Sequence, residues 1–132
     1  MKPTPLIAVA LACGILAVTF ATQARAQDAK ALMHAKLEHS KALLEGLATV
    51  DFVQLEKHSS ALTLLSLETD WHVIQTGEYR RLSEDFRRST NSLSEMAKAK
   101  NLDGATLAYV GVTMKCVECH KYVRSVRVGR TP

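Results

Sequence analysis

The chain has 132 residues, room for one domain, and 17 basic against 13 acidic residues give it a net charge of 17 − 13 = +4. That surplus is too mild for a nucleic-acid binder, and 5% aromatic residues are too few for base stacking. Three cysteines, two of them inside one motif, provide no disulfide framework.

The chain opens with Lys2, continues through an apolar run from Leu6 to Phe20, and reaches the small-residue tripeptide Ala24-Arg25-Ala26. This is the layout of a secretory signal peptide, with cleavage expected after residue 26. The apolar run is shorter than the roughly 20 residues that span a bilayer, so no stable membrane insertion is expected once the leader is removed. Cys13, within Ala-Cys-Gly-Ile, admits a lipid-anchor reading. The apolar run continues past it, however, and a better cleavage site follows. The expected division is therefore a leader over 1–26 and a single domain over 27–132. Lys2 and Arg25 leave with the leader, so the mature charge is 15 − 13 = +2. Export places the protein in the periplasm.

Four segments of the mature chain repeat at threes and fours, and none alternates with period two. In the first, Met33, Leu37, Ser40, Leu44 and Leu47 form one stripe, with Gly46 and Thr49 near its end. Asp51 followed by Gln54 resembles a capping box that opens the second helix. Leu55, His58, Leu62 and Leu65 are its expected inner stripe. Period is lost from Thr69 to Gly77. A third helix is expected over about 78–100 on Leu82, Phe86, Ser89, Leu93, Met96 and Lys100. Asn101-Leu-Asp-Gly104 is a turn in which Asp103 can cap the fourth helix. That helix carries Ala105, Ala108, Tyr109, Val112, Cys116, Cys119 or His120, and Val123 inward, and the residues from 126 onward are expected to fray. Short connections between the first and second helices and between the third and fourth force antiparallel neighbours. The expected fold is an all-α, up-down-up-down four-helix bundle.

Cys116-Val-Glu-Cys119-His120 matches the attachment site of haem c, where two thiols bond the haem vinyls and the adjacent histidine binds iron. A three-residue separation puts both sulfurs near one helix face. The rivals fit less well. A thioredoxin-like pair sits at the start of a helix after a strand, and a structural zinc site wants a second ligand pair, whereas His34, His39, His58 and His72 are isolated along the chain.

With this motif near its C-terminus, the chain resembles the class II c-type cytochromes, the cytochrome c′ family. The first helix adds to the likeness through Met33, His39 and the run Lys41-Ala42-Leu43. The resemblance implies one covalently bound haem c on Cys116 and Cys119, with His120 as proximal ligand. Arg124 falls where the family has a basic residue beside that histidine. Tyr122 does not match the family's aromatic position, so no role carries over to it. Met33 falls at the position lining the distal pocket and is the expected sixth, thioether ligand, with a pocket wall as the alternative. A ligated iron suits electron transfer with redox partner proteins, the expected function. An open one suits binding of nitric oxide or carbon monoxide, for sensing or detoxification. His34 is the other contender for the iron, on a face with Lys30, Glu38 and Lys41 that reads as solvated. Lys115, Lys121, Arg124, Arg127 and Arg130 form a basic rim, either a helix end suited to its dipole or a docking face for an acidic partner. The family also implies a homodimer as one oligomeric option. No acid-base pair, nucleophile constellation or phosphate loop points to an enzyme.

Overall fold

The computed structural model describes residues 29–68 and 74–129. The leader, Trp71, His72 and Arg130 lie outside these residues. Four helices form an antiparallel bundle: α1 over 29–49, α2 Phe52–Leu65, α3 Gly77–Lys98 and α4 Leu102–Val128. Among the described residues there is no strand. The up-down order places two tight turns at one end of the bundle. At the other lie the start of α1, the end of α2, the start of α3 and the end of α4.

The two tight turns are built alike. At the end of α1, Val50 is left-handed with φ 57°. The Asp51 N–H donates to the Gly46 carbonyl at 2.8 Å, and the Val50 N–H to the Leu47 carbonyl at 3.4 Å. At the end of α3, Lys100 has φ 52°, the Asn101 N–H donates to the Met96 carbonyl at 3.0 Å, and the Lys100 N–H to the Ala97 carbonyl at 2.9 Å. Both are Schellman closures that satisfy two carbonyls of a finished helix. In each, the residue that ends one helix also caps the next. Asp51 Oδ1 accepts from the Gln54 N–H at 3.0 Å, and Asn101 Oδ1 from the Gly104 N–H at 2.8 Å. The cap of α4 is thus Asn101 rather than Asp103, which lies in the first turn. Gly46 sits where α1 meets α2, and a Cβ there would lie 3.2 Å from the Leu55 side chain.

The buried line of α1 is Leu32, Lys36, Leu43 and Gly46, one residue out of phase with the expected stripe. Leu37 and Leu44 are 52% and 56% exposed, while Met33, Ser40 and Leu47 flank the line half-buried. In α2 the line is Leu55, Ser59, Leu62 and Ser66, and His58 and Leu65 are only half-buried. In α3 it runs through Tyr79, Leu82, Ser83, Phe86, Thr90, Leu93, Ser94 and Ala97. Ser89 and Met96 are half-buried, Lys100 is exposed, and the helix stops two residues earlier than expected. The α2–α3 seam is thus rich in small hydroxyl residues. Each satisfies itself locally: Ser59 Oγ donates to the Glu56 carbonyl, Ser66 Oγ to that of Thr63, and Ser83 Oγ to that of Tyr79. Thr63 and Thr90 bond across the seam at 2.7 Å. A buried hydroxyl with such a partner avoids the desolvation penalty and lets the helices approach closely.

Helix α1 is tied to α2 by Gln54 Nε2, which donates to the Ala42 carbonyl at 2.9 Å. The His39 and His58 rings also meet there, Nδ1 to Nδ1, at 2.7 Å. These two histidines, distant along the chain, pack α1 against α2. Helix α4 continues to Val128, so the expected fraying from residue 126 does not occur over 126–128.

Candidate functional site

Val112, Cys116, Cys119 and Val123 follow one another on α4 at +4, +3 and +4, the spacing of one helix face. Val112 is fully buried, and both cysteines and Val123 are half-buried against the core. The two sulfurs are free thiols. Burial pushes both thiols above their ordinary pKa, an effect partly offset by the positive charge of Lys36. Thiols held protonated in this way are unlike the activated thiolate of a redox dithiol. His120 is exposed on the neighbouring side of α4.

Beside these residues a cleft of about 350 Å³ opens between the helices, within the size range of ligand sites. Helix α4 contributes Tyr109, Val112, Thr113, Cys116 and His120. The facing wall is α1, with Met33, Lys36, Leu37 and Ser40 at the spacing +3, +1, +3. Leu62 of α2 and Phe86 of α3 close the inner side. The Tyr109 hydroxyl donates to the Ser40 carbonyl at 3.2 Å, joining the two walls. At the open end of the bundle, Tyr122 Oη and Thr76 Oγ1 lie 2.6 Å apart. Thr76 also caps α3 by accepting from the Tyr79 N–H. Tyr122, unassigned from sequence, therefore fastens the start of α3 to the last turns of α4.

Lys36 is the residue that sequence reasoning missed. It is 9% exposed, and its ammonium lies 4.3 Å from the centre of the Phe86 ring. Burial lowers its pKa to about 8, and the nearby cysteine sulfurs partly counter that shift. A lysine three residues after Met33 and four before Ser40 lies on the edge of the apolar stripe, and that spacing was the available signal. Its charge hides this on a hydropathy scale, although its methylene stem can line an apolar wall.

Met33 is half-buried in the α1 wall. His34 is exposed, with Nδ1 3.9 Å from a Glu38 carboxylate oxygen, on the solvated face expected for it. Lys121 and Arg124 are exposed on α4 beyond His120. Lys115 pairs with Glu118, inside the cysteine motif, at 2.8 Å. Met114 is 54% exposed, and Met96 packs half-buried against the core. Among the described residues, no group of three or more His, Cys, Asp or Glu side chains is placed to hold a metal ion by itself.

An antiparallel four-helix bundle with a Cys-x-x-Cys-His on the last turns of its final helix is the architecture of the cytochromes c′, and comparison with solved structures shows that fold. A cytochrome c′ superposes with a TM-score of 0.65 at 16% identity, covering 76% of this chain and 94% of that one. A nitric oxide complex of a cytochrome c′ variant from Alcaligenes xylosoxidans gives 0.63 at 16% identity, covering 75% and 91%. A ferrous variant from the same organism gives 0.64 at 16% identity, covering 75% and 93%. No family model matches the sequence, and no curated protein matches it. At these identities the likeness is one of fold.

Proposed function

We propose that this chain is an exported monohaem c-type cytochrome of the c′ class that transfers electrons. The observation that carries the reading is the donor set. Two half-buried thiols lie on one face of α4, followed directly by an imidazole, and Cys116 and His120 line an apolar cleft large enough for a ligand. The set fits haem c: Cys116 and Cys119 would hold it through thioether bonds to its two vinyl groups, and His120 would bind the iron. The bound haem supplies a one-electron ferric/ferrous couple.

The chain's own residues do the rest. Phe86, Leu62 and Val112 give the cleft an apolar inner side that limits water, one of the levers by which a protein tunes a haem potential. Arg124, exposed one turn beyond His120, is suited to a haem propionate. With Lys121 it provides positive charge for docking an acidic redox partner, steered by long-range attraction. On the facing wall, α1 brings two side chains with iron-binding atoms, the Met33 thioether and the Lys36 amine. That wall supports a six-coordinate iron and electron transfer over an open gas site. Export rests on the N-terminal sequence.

Visible spectra of the ferric and ferrous protein, with and without carbon monoxide, test this reading. It expects a low-spin spectrum in both states, reversible one-electron cycling and slow or absent carbon monoxide uptake. A high-spin ferrous spectrum with rapid uptake would transfer the function to gas binding.

A further inference from the structure

Helix α4 is apolar on two sides. Over residues 104–114 it holds no charged residue. Its inner line runs through Ala105 and Val112, both fully buried, to the half-buried Cys119. On the opposite side Leu107, Val110, Met114 and Val117 stand 74%, 52%, 54% and 42% exposed. Their spacing of +3, +4 and +3 is the a/d repeat of a coiled-coil seam, and Lys121 continues it at +4. A surface helix of a globular protein turns charge toward solvent, whereas one that is apolar all round is covered on both sides. Val53 and Leu64 of α2 are exposed as well, but Lys57 and Ser60 interrupt the line between them.

Gly111 lies beside this seam, in the interior of the helix. Glycine weakens a helix interior relative to alanine, and packing within the chain does not call for it. A Cβ there would meet nothing within 4 Å. A second helix crossing at this point supplies the reason, since a missing side chain lets two backbones approach closely. The seam is also symmetric about Val112. Leu107 and Val117 lie five residues from it, Val110 and Met114 two, and Asp103 and Lys121 nine. Laid antiparallel on its own copy, the helix sets Leu107 against Val117, Val110 against Met114, and the Asp103 carboxylate against the Lys121 ammonium. Asp103 and Lys121 are both exposed. Lys115 and Glu118, at the flank, are paired with each other at 2.8 Å.

We propose that this chain forms a homodimer through the outer face of α4, paired antiparallel with α4 of a second copy about a two-fold axis at the level of Val112. The proposal is independent of the haem reading. A two-fold contact uses the same patch on both copies, so each of the three pairings forms twice. The helices are already held in shape by their bundles when they meet, which lowers the ordering cost of so short a seam. The charges at its ends fix the direction. A parallel pairing would set Asp103 against Asp103 and Lys121 against Lys121, whereas the antiparallel one sets each against its opposite. Arg124 falls beyond the start of the opposing α4 and keeps the docking role given to it above.

Sedimentation equilibrium of the purified protein under reducing conditions tests it. The expected result is a reversible monomer–dimer equilibrium with Kd on the order of 10 µM for a seam of this size. A monomer at millimolar concentration overturns the proposal and passes the face to a different partner. Variants locate the contact. Met114→Glu is expected to give a folded monomer, and Val53→Glu, on α2, to leave the dimer intact. A dimer that survives Met114→Glu, or is lost in Val53→Glu, overturns the proposal. Gly111→Leu is expected to weaken the dimer about tenfold while raising the melting temperature of the dilute monomer. Asp103→Lys and Lys121→Asp are each expected to weaken it about fivefold, and the double variant to recover the parent affinity. A double variant no tighter than the single ones overturns the antiparallel pairing.

Discussion

The two ends of the bundle solve opposite problems. At the turn end, α1 and α2, and α3 and α4, are joined by the same short device, and the core beside it is dry. Leu43, Leu55, Leu93 and Ala105 have no exposure at all. At the other end the connection between α2 and α3 is longer, and the helices part around a cleft. There a lysine is buried, two thiols lie half-covered and an exposed histidine lines the cleft. The closed end holds the four helices in register so that the open end can be left underpacked for a ligand. Stability is concentrated where no chemistry is proposed, and the groups with reactive atoms collect where packing is incomplete.

The largest effect expected from breaking this contrast is at the closed end. Leu43→Ala or Leu93→Ala removes a fully buried side chain and is expected to cost about 3 kcal/mol, read from chemical denaturation. Met33→Ala, at the edge of the open cleft, is expected to cost well under half of that. Equal losses at both ends would show that the cleft is as tightly packed as the core.

Next in size is the buried lysine in the haem-free protein. Its folded pKa of about 8 lies below the ordinary lysine value of 10.5, so between those values the unfolded chain binds more protons and stability rises with pH. Below about pH 8 the burial penalty is fully present. Lys36→Leu is therefore expected to stabilise the haem-free protein by about 2 kcal/mol at pH 7. The variant's advantage shrinks as pH climbs from 8 past 10. Thermal melts of both proteins across that range check the sign. A variant that is less stable at pH 7 would place the ammonium in a favourable site instead.

Smaller effects belong to the two turns. Asp51→Ala and Asn101→Ala each remove a helix cap and are expected to cost about 1 kcal/mol. Val50→Gly is expected to stabilise by about 1 kcal/mol, since a β-branched residue is strained in the left-handed region at φ 57°. Lys100→Gly is expected to gain less, because its side chain is not branched at Cβ. Equal gains at the two positions would show that branching carries no cost in this turn.

The features legible in the sequence were those whose chemistry fixes their spacing. The four helical periods implied the bundle, and the spacing of Cys116, Cys119 and His120 placed all three on its last helix. The inner faces read less well, for identifiable reasons. In α1 the pattern Met33, Leu37, Ser40, Leu44 looks apolar, yet the buried line is Leu32, Lys36, Leu43. A lysine is scored by its ammonium, although four methylenes lie between that charge and the backbone. In α2, Ser59 and Ser66 are buried where His58 and Leu65 were expected. Their hydroxyls donate to carbonyls of their own helix, a satisfaction that hydropathy cannot register. Asn101 and Asp103 are both good capping residues two positions apart, and only the Schellman closure around Lys100 selects the first. The role of Tyr122 depends on Thr76, 46 residues away, and no local pattern carries that pairing.

The central claim is that the cleft beside α4 is built for a haem bonded to this chain. Intact-mass measurement of the denatured protein, expressed with a c-type maturation system, tests it most directly. The account predicts that the chain carries the added mass of one haem and loses it in the double variant Cys116→Ser, Cys119→Ser. An unmodified mass in the parent protein, with both thiols free to alkylation, would contradict it.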